Sequence, residues 1–442
     1  VPVIEEKLFG RGINVKWKNT PPTVEEHPMS LKGYETKLNV ARVAMFDQPK
    51  RIIFATGAVE QFLGTEAMRL GGKKVVVVTD KGVRKAGMAD TVTDLLKKEH
   101  LDVTVYDEIA TEPTTQSVRQ AAKFGREGKF DLVVGVGGGA VLDTAKLVAV
   151  CLTNPDDVMA YVNPAEDKTK EPARPKILIP TTSGTGSEVS NYSVVIEGLY
   201  KTWAASSNLF ADVAIVDPQM VISCPPRQTA GSAMDALSHN VEALIDREAN
   251  PISDAQALEG TKLVFEYARR AYHAGDDLEA RWNMSAAAML GGVVIAYPWI
   301  GGPAILGHCI AEALGPRWGV PHGAACGVVL PYVLQFNAAS SACTDKLAYV
   351  AKHVLGDDVH GLSQRAATFA FIHAIKTLME DMELPTNLKG WKVPSNELDE
   401  FGEYVVKERQ HVYGLPRFNP RKLTNENTKE LMHQMYEGTL LE

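Results

Sequence analysis

A chain of 442 residues is long enough to bury more than one hydrophobic core. Its net charge of −8, with acids and bases interspersed, argues against bulk affinity for nucleic acid or an anionic membrane surface. Five scattered cysteines with no Cys-x-x-Cys spacing argue against a disulfide framework or a zinc ribbon, and no apolar run is long enough to cross a bilayer. The opening VPVIEEKLFGRG carries acids and lacks the apolar core of a signal peptide. That points to the cytoplasm, with the mitochondrial matrix as the alternative.

Residues 1–46 read as an N-terminal extension of mixed charge with a turn at Pro21-Pro22. A β-branched run, Val75–Thr79, then predicts a buried parallel strand ending at Asp80. Further strands are predicted over 101–106, 131–136 and 176–179, with helices over the stretches to about 99, 114–127 and 141–152. Strands alternating with helices imply a parallel, doubly wound α/β domain over residues 47–221. Ligands of such sheets bind beyond the carboxyl ends of the strands. From residue 222 to 442 the pattern is helical. A capping box at Ser253-x-x-Gln256 opens one helix. Another runs from Pro303 to Leu314 and stops at Gly315. Residues 365–382 and 428–435 give two more.

Two turns at strand ends carry chemistry. Gly135-Val136-Gly137-Gly138-Gly139-Ala140 follows a strand and opens a helix, as a pyrophosphate-binding turn requires. Thr181-Thr182-Ser183-Gly184-Thr185-Gly186-Ser187-Glu188 offers hydroxyls and backbone N–H groups at the same edge; its plainer reading is a capped loop. Asp80 can accept from ribose hydroxyls, where its charge would favour NAD over NADP, or can simply cap a helix. In the helical half, Asp235 and His239 lie four residues apart on one helix face. With His308 and His322 they make a candidate divalent-metal cage, in which imidazole suits zinc, iron, copper or nickel and the carboxylate widens the choice toward iron and manganese.

Together these stretches resemble the iron-dependent (group III) alcohol dehydrogenases. Gly137–Lys146 resembles that family's GGGSxxDxAK turn, and Pro180–Val189 its PTTxGTGSEV turn. Met234–His239 with Glu242 is similar to its MDALxHxxE segment, and Pro321-His322-Gly323 to its PHG. The resemblance implies a dehydroquinate synthase-like architecture, an α/β nucleotide-binding domain and an all-α domain with the site between them. It implies Asp235, His239, His308 and His322 as metal ligands, holding Fe(II) or alternatively Zn(II). It implies cofactor contacts at Asp80, Gly138, Gly139, Asp143, Thr181, Thr182, Thr185 and Lys201. Four features depart from the family: Ala140 replaces a serine, Glu112 an asparagine and Glu312 a second histidine of HxxxH, and residues 1–46 are extra.

The expected activity is reversible hydride transfer between a small alcohol or hydroxy acid and NAD, with a metal as Lewis acid. A homo-oligomer is expected. Glu312, one turn from His308, is the candidate proton-exchanging group, or else orients a ligand. Arg317 and Trp318 either line the pocket or belong to a surface loop. A hydroxyacid–oxoacid transhydrogenase with retained nicotinamide is the closest alternative. A metal-dependent hydrolase or lyase, and a non-catalytic metal-binding scaffold, are the others.

Overall fold

The computed structural model describes residues 30–31, 34–35, 45–109, 112–162, 167–297 and 305–441. The Pro21-Pro22 turn and Pro303 lie outside them. Ser30–Leu31 (β1) and Tyr34–Glu35 (β2) form a short antiparallel pair. A six-stranded parallel sheet follows. Its strands are Ile52–Phe54 (β3), Lys74–Val78 (β4), Asp102–Tyr106 (β5), Leu132–Gly137 (β6), Lys176–Pro180 (β7) and Val213–Val216 (β10), in the order β3-β10-β7-β6-β4-β5. Tyr192–Glu197 (β8) and Tyr200–Ala205 (β9) pair as a separate antiparallel hairpin.

Both sheet faces are covered, which is why the strands read as continuous apolar runs. Val75, Val77, Leu132, Ile177 and Ile215 pack on one side against Ala58–Arg69 (α1) and Met88–Lys98 (α3). Val76, Val78, Val133, Leu178 and Ala214 face Thr115–Gly128 (α4) and Gly139–Cys151 (α5) on the other. Between α1 and α3 lies the short helix α2, Lys81–Lys85. Each fully buried valine or leucine here contributes about 1.5–3 kcal/mol.

The strand order reverses between β4 and β6. Asp80 stands at the end of β4 and Gly137–Gly139 at the end of β6, so both flank this switch point.

After β10 the chain is helical among the described residues: Pro226–Ile245 (α6), Pro251–His273 (α7), Leu278–Ile295 (α8), Leu306–Trp318 (α9), His322–Asn337 (α10), Ser341–Val354 (α11), Gln364–Asp381 (α12) and shorter segments to Asn425–Glu437. Three local expectations are corrected. The capping box of α7 is Asn250 with Ser253, because Asn250 accepts from the backbone of both Ile252 and Ser253 while Ser253 bonds back. Helix α9 does not stop at Gly315. It runs through Pro316 to Trp318 and ends at Gly319, whose φ of 69° supplies the left-handed cap. Strands β3 and β10 and the β8–β9 hairpin also belong to the fold, although the sequence reading lacked them.

The turn after β7 joins the two halves. Gly186, at φ 60°, lies against the backbone of Gly292 and Ala288 in α8, and Gly184 against Ser232 in α6. Gly198, at φ 62° in the β8–β9 turn, has open space around it. Gly198→Ala should therefore cost only backbone strain, about 1–2 kcal/mol. Gly186→Ala adds a collision with backbone and should cost roughly 1–3 kcal/mol more, or prevent folding. Urea unfolding of the two variants measures the difference.

Candidate active site

The sheet edge at the switch point is made by two turns in contact. Thr181 N–H donates to the Gly137 carbonyl at 3.0 Å. A Cβ on Gly139 would lie 2.7 Å from the Thr185 methyl, so Thr185 already fills that space. Gly138, the N-cap of α5, would meet Thr182 only at 3.5 Å. Gly138, Gly139, Thr182 and Thr185 are half-buried and face the open edge, while Thr181 is buried. The free N–H groups of α5 start here, which suits a phosphate.

Asp80 caps α2: its Oδ1 accepts from Gly82 N at 2.7 Å and Val83 N at 2.9 Å. Asp143 turns inward instead. Ser187 Oγ donates to its Oδ1 at 2.6 Å, Val194 N to its Oδ2 at 2.9 Å, and Lys146 Nζ lies 3.6 Å away. Its carboxylate therefore ties α5 to the threonine turn and to β8. Lys201 pairs with Glu112 at 3.1 Å.

The second cluster grows from α6, α9 and α10. Asp235 and His239 share one face of α6, His308 lies in the first turn of α9, and His322 opens α10. Asp235 Oδ1 is buried and accepts no hydrogen bond among the described residues. Facing it are the Nε2 atoms of His322 at 3.5 Å, His308 at 3.6 Å and His239 at 4.0 Å. These separations are too long for hydrogen bonds and right for groups sharing a central cation. Burial alone would raise the Asp235 carboxyl, but the surrounding imidazoles outweigh it and hold it below the ordinary carboxylate range. Burial lowers His239 to about 3, so its ring is neutral at physiological pH. Burial, then the Lys201 ammonium, lowers His322 as well. Neutral imidazoles are the ligating form.

Glu242 sets the orientation of His308. Its carboxylate accepts from Ile305 N at 2.7 Å and His308 N at 3.1 Å, and lies 3.3 Å from His308 Nδ1. It thereby caps the positive end of α9 and turns the Nε2 of His308 inward. Gly307 has no side chain because Glu242 Oε1 occupies that place.

One group in the cluster has no counterpart in the sequence reading: Cys326. Its Sγ lies 3.6 Å from His308 Nε2 and 3.9 Å from His322 Nε2. One ligand atom each from Asp235, His308, His322 and Cys326 fall within 4.8 Å of one another. His239 adjoins that compact set, its ring stacked on His308 with centroids 4.5 Å apart. The available signal was the spacing of Cys326 four residues after His322.

Glu312 is also buried, but it is engaged elsewhere. Its Oε2 accepts from Arg409 Nη2 at 3.2 Å and from the Tyr413 hydroxyl. Arg409 also donates to the Lys201 carbonyl at 3.0 Å. The guanidinium of Arg317 stacks over Tyr404, 4.2 Å from the ring centroid, and Trp318 Nε1 donates to Glu397 at 3.3 Å. Arg317 is thus packed against aromatic rings rather than free on a loop.

A buried Asp/His cage beside a glycine-and-threonine edge defines a metal-assisted oxidoreductase site. Residues 49–218 match the family described as iron-containing alcohol dehydrogenase, and residues 229–436 match the C-terminal domain of the same family. The long-chain-alcohol dehydrogenase 1 of Geobacillus thermodenitrificans (strain NG80-2) is 36% identical over 406 residues, covering 92% of this chain and 99% of its own. The crystal structure of a 1,3-propanediol oxidoreductase superposes with a TM-score of 0.82 at 30% identity, covering 89% of this chain and 100% of that one. A sulfoacetaldehyde reductase from Bifidobacterium kashiwanohense, solved in complex with NAD+, gives 0.75 at 26% identity, covering 89% and 99%. The chain belongs to the iron-containing alcohol dehydrogenase family and is an oxidoreductase.

Glu188, on the threonine turn, gives a pH-dependent stability. Burial pushes its carboxyl from an ordinary 4.5 up to about 7. A group raised on folding contributes stability that is complete below about 4.5 and lost as pH rises through about 7. Glu188→Gln keeps the shape of the neutral side chain. Its Tm relative to the wild type should rise between about pH 5 and about pH 8, measured by calorimetry at matched ionic strength.

Proposed function

We propose that this protein oxidises small primary or secondary alcohols with NAD, reversibly reducing the carbonyl compound, at a divalent metal held by Asp235, His239, His308 and His322. The observation that carries the reading is the buried, unpartnered Asp235 Oδ1 with three imidazole Nε2 atoms facing it. A cation is what satisfies that oxygen and those lone pairs together. Iron is the first choice from the family, with zinc as the alternative, since the same donors suit both.

The nucleotide is placed across the switch point. The backbone of Gly138 and Gly139 would receive the pyrophosphate, and the hydroxyls of Thr182 and Thr185 reach the same edge. Asp80 keeps Oδ2 for the ribose hydroxyls, since its Oδ1 caps α2. Its negative charge favours NAD over NADP. Asp143 and Thr181 contribute by fixing the two turns rather than by touching the cofactor. Lys201, neutralised by Glu112, lies toward His322 and the nicotinamide end of the cleft.

When bound, the metal supplies Lewis acidity that makes the alcohol proton easier to remove, and NAD supplies the electron sink. The protein holds the parts in register. Glu242 fixes the His308 ring. Glu312 acts through Arg409 and Tyr413, anchoring the Lys201 backbone from the helical side. A homo-oligomer is part of the proposal, and sedimentation of the full chain tests it.

The test is NADH formation from a panel of alcohols and hydroxy acids, using protein stripped by chelator and reloaded anaerobically with Fe(II) or Zn(II). Activity should vanish on stripping and return with one metal. His322→Ala should lower kcat/KM by roughly three orders of magnitude. No NADH under any loading, with NADH binding intact, would move the assignment to the transhydrogenase. Loss of both turnover and nucleotide binding would overturn it. Glu312→Gln keeps the shape of the Arg409 contact but removes its charge. It should lower kcat about tenfold or less without moving the pH profile; an acidic limb that disappears would identify Glu312 as a titrating relay instead.

A further inference from the structure

We propose that Cys326 is a metal ligand, adding a thiolate to the oxygen and imidazole donors and tilting the site toward zinc. The inference rests on the metal-site reading above and concerns a residue that the Asp/His set does not include.

His322 and Cys326 are four residues apart on α10, hence on one helix face. The buried Sγ stands 3.6 Å from His308 Nε2 and 3.9 Å from His322 Nε2. Those two nitrogens stand 3.6 and 3.5 Å from Asp235 Oδ1. Around a tetrahedral ion with bonds of about 2.0–2.1 Å to N or O and about 2.3 Å to S, neighbouring ligand atoms lie about 3.3–3.6 Å apart. The four separations just given lie at or slightly beyond that range, and all four ligand atoms fall within 4.8 Å of one another.

Hydrogen bonding alone leaves the cluster unsatisfied. With Glu242 accepting at Nδ1, the neutral form of His308 presents its Nε2 lone pair to the cluster. The Nε2 of His322 and the unpartnered Asp235 Oδ1 converge on the same space. One S–H can donate to a single one of these acceptors. A cation satisfies all of them, with the sulfur as a further donor. As the sulfur–metal bond forms, the S–H bond breaks and its proton leaves to solvent. A soft thiolate raises zinc affinity more than ferrous iron affinity.

The experiment is an anaerobic titration of the full-length protein with Co(II), followed by optical spectroscopy. Visible d–d bands report metal in the cage, and a near-ultraviolet sulfur-to-cobalt charge-transfer band reports the thiolate. The expected result is both in the wild type and in Cys309→Ser, with the charge-transfer band lost and the d–d bands kept in Cys326→Ser. Zinc affinity in Cys326→Ser, read by competition with a chromophoric chelator, should fall by more than the roughly 10- to 100-fold that loss of an outer hydrogen-bond partner costs. X-ray absorption of the zinc-loaded wild type, which needs no variant, should show one sulfur at about 2.3 Å. Metal bound without a charge-transfer band or a sulfur scatterer overturns the Cys326 inference and leaves the metal site standing. A band that survives in Cys326→Ser also overturns it. Failure of Co(II) and Zn(II) to bind at all overturns the metal site itself.

Discussion

The arrangement depends on one buried turn being able to touch three things at once. From Thr181 to Glu188 the chain leaves the carboxyl end of β7, braces Gly139 through Thr185, and lies backbone-to-backbone on α6 and α8 at Gly184 and Gly186. Contacts that close admit no side chain, so the sequence there is glycine alternating with small hydroxyl residues. Asp143 bonds the turn from behind through Ser187 and reaches β8 through Val194. The glycine edge and the Asp/His cluster are thereby tied through short, stiff contacts. Hydride transfer needs its reactants held at near-contact distance, so such a brace is what the chemistry requires.

The cage is assembled by electrostatics that would otherwise be costly. Polar side chains are gathered around the buried Asp235, and among the described residues none donates a hydrogen bond to its Oδ1. An unsatisfied buried carboxylate oxygen costs several kcal/mol, and the inward-facing imidazoles surround it without satisfying it. Glu242 lowers the cost on the outer side. Its two oxygens are spent on the N-terminal amides of α9 and on the His308 ring. A helix terminus, a ring orientation and a missing Cβ at Gly307 are thus one interaction seen from three sides.

Much of this was legible in one dimension, for definable reasons. Val75–Val78, Leu132–Val136 and Lys176–Ile179 are apolar runs because both sheet faces are covered, and each ends in the polar turn that does the work. Strands β3 and β10 were missed because three or four apolar residues carry no period to read. Strand β8 alternates in burial, but its buried positions include Ser193 and its half-buried ones Val194 and Ile196, so the polarity of the sequence does not show it. Helix α9 extends beyond its expected end because Gly315 reads as a stop, whereas the left-handed residue is Gly319. Cys326 was overlooked because a cysteine within AACGVV looks like core packing; only the fold shows two imidazoles on its sulfur.

Glu312 shows where local reading must fail. Its position one turn after His308 suggests a role beside the metal, and its charge there looks repulsive. The partners that remove that repulsion, Arg409 and Tyr413, lie 97 and 101 residues further on, in and just after a π-helical turn over Val405–Arg409. The guanidinium neutralises the carboxylate and spends another N–H on the Lys201 carbonyl, while Trp203 packs edge-on against Tyr413. A buried pair of this kind rarely adds net stability over an apolar equivalent, because desolvation offsets the attraction. Its gain is geometric. It fixes the backbone of β9 to α9, and so fixes where the Lys201 ammonium sits relative to His322. Substituting one partner alone would strand a buried charge. A carboxylate at position 312 and an arginine at 409 are therefore coupled, each being the other's buried counter-charge.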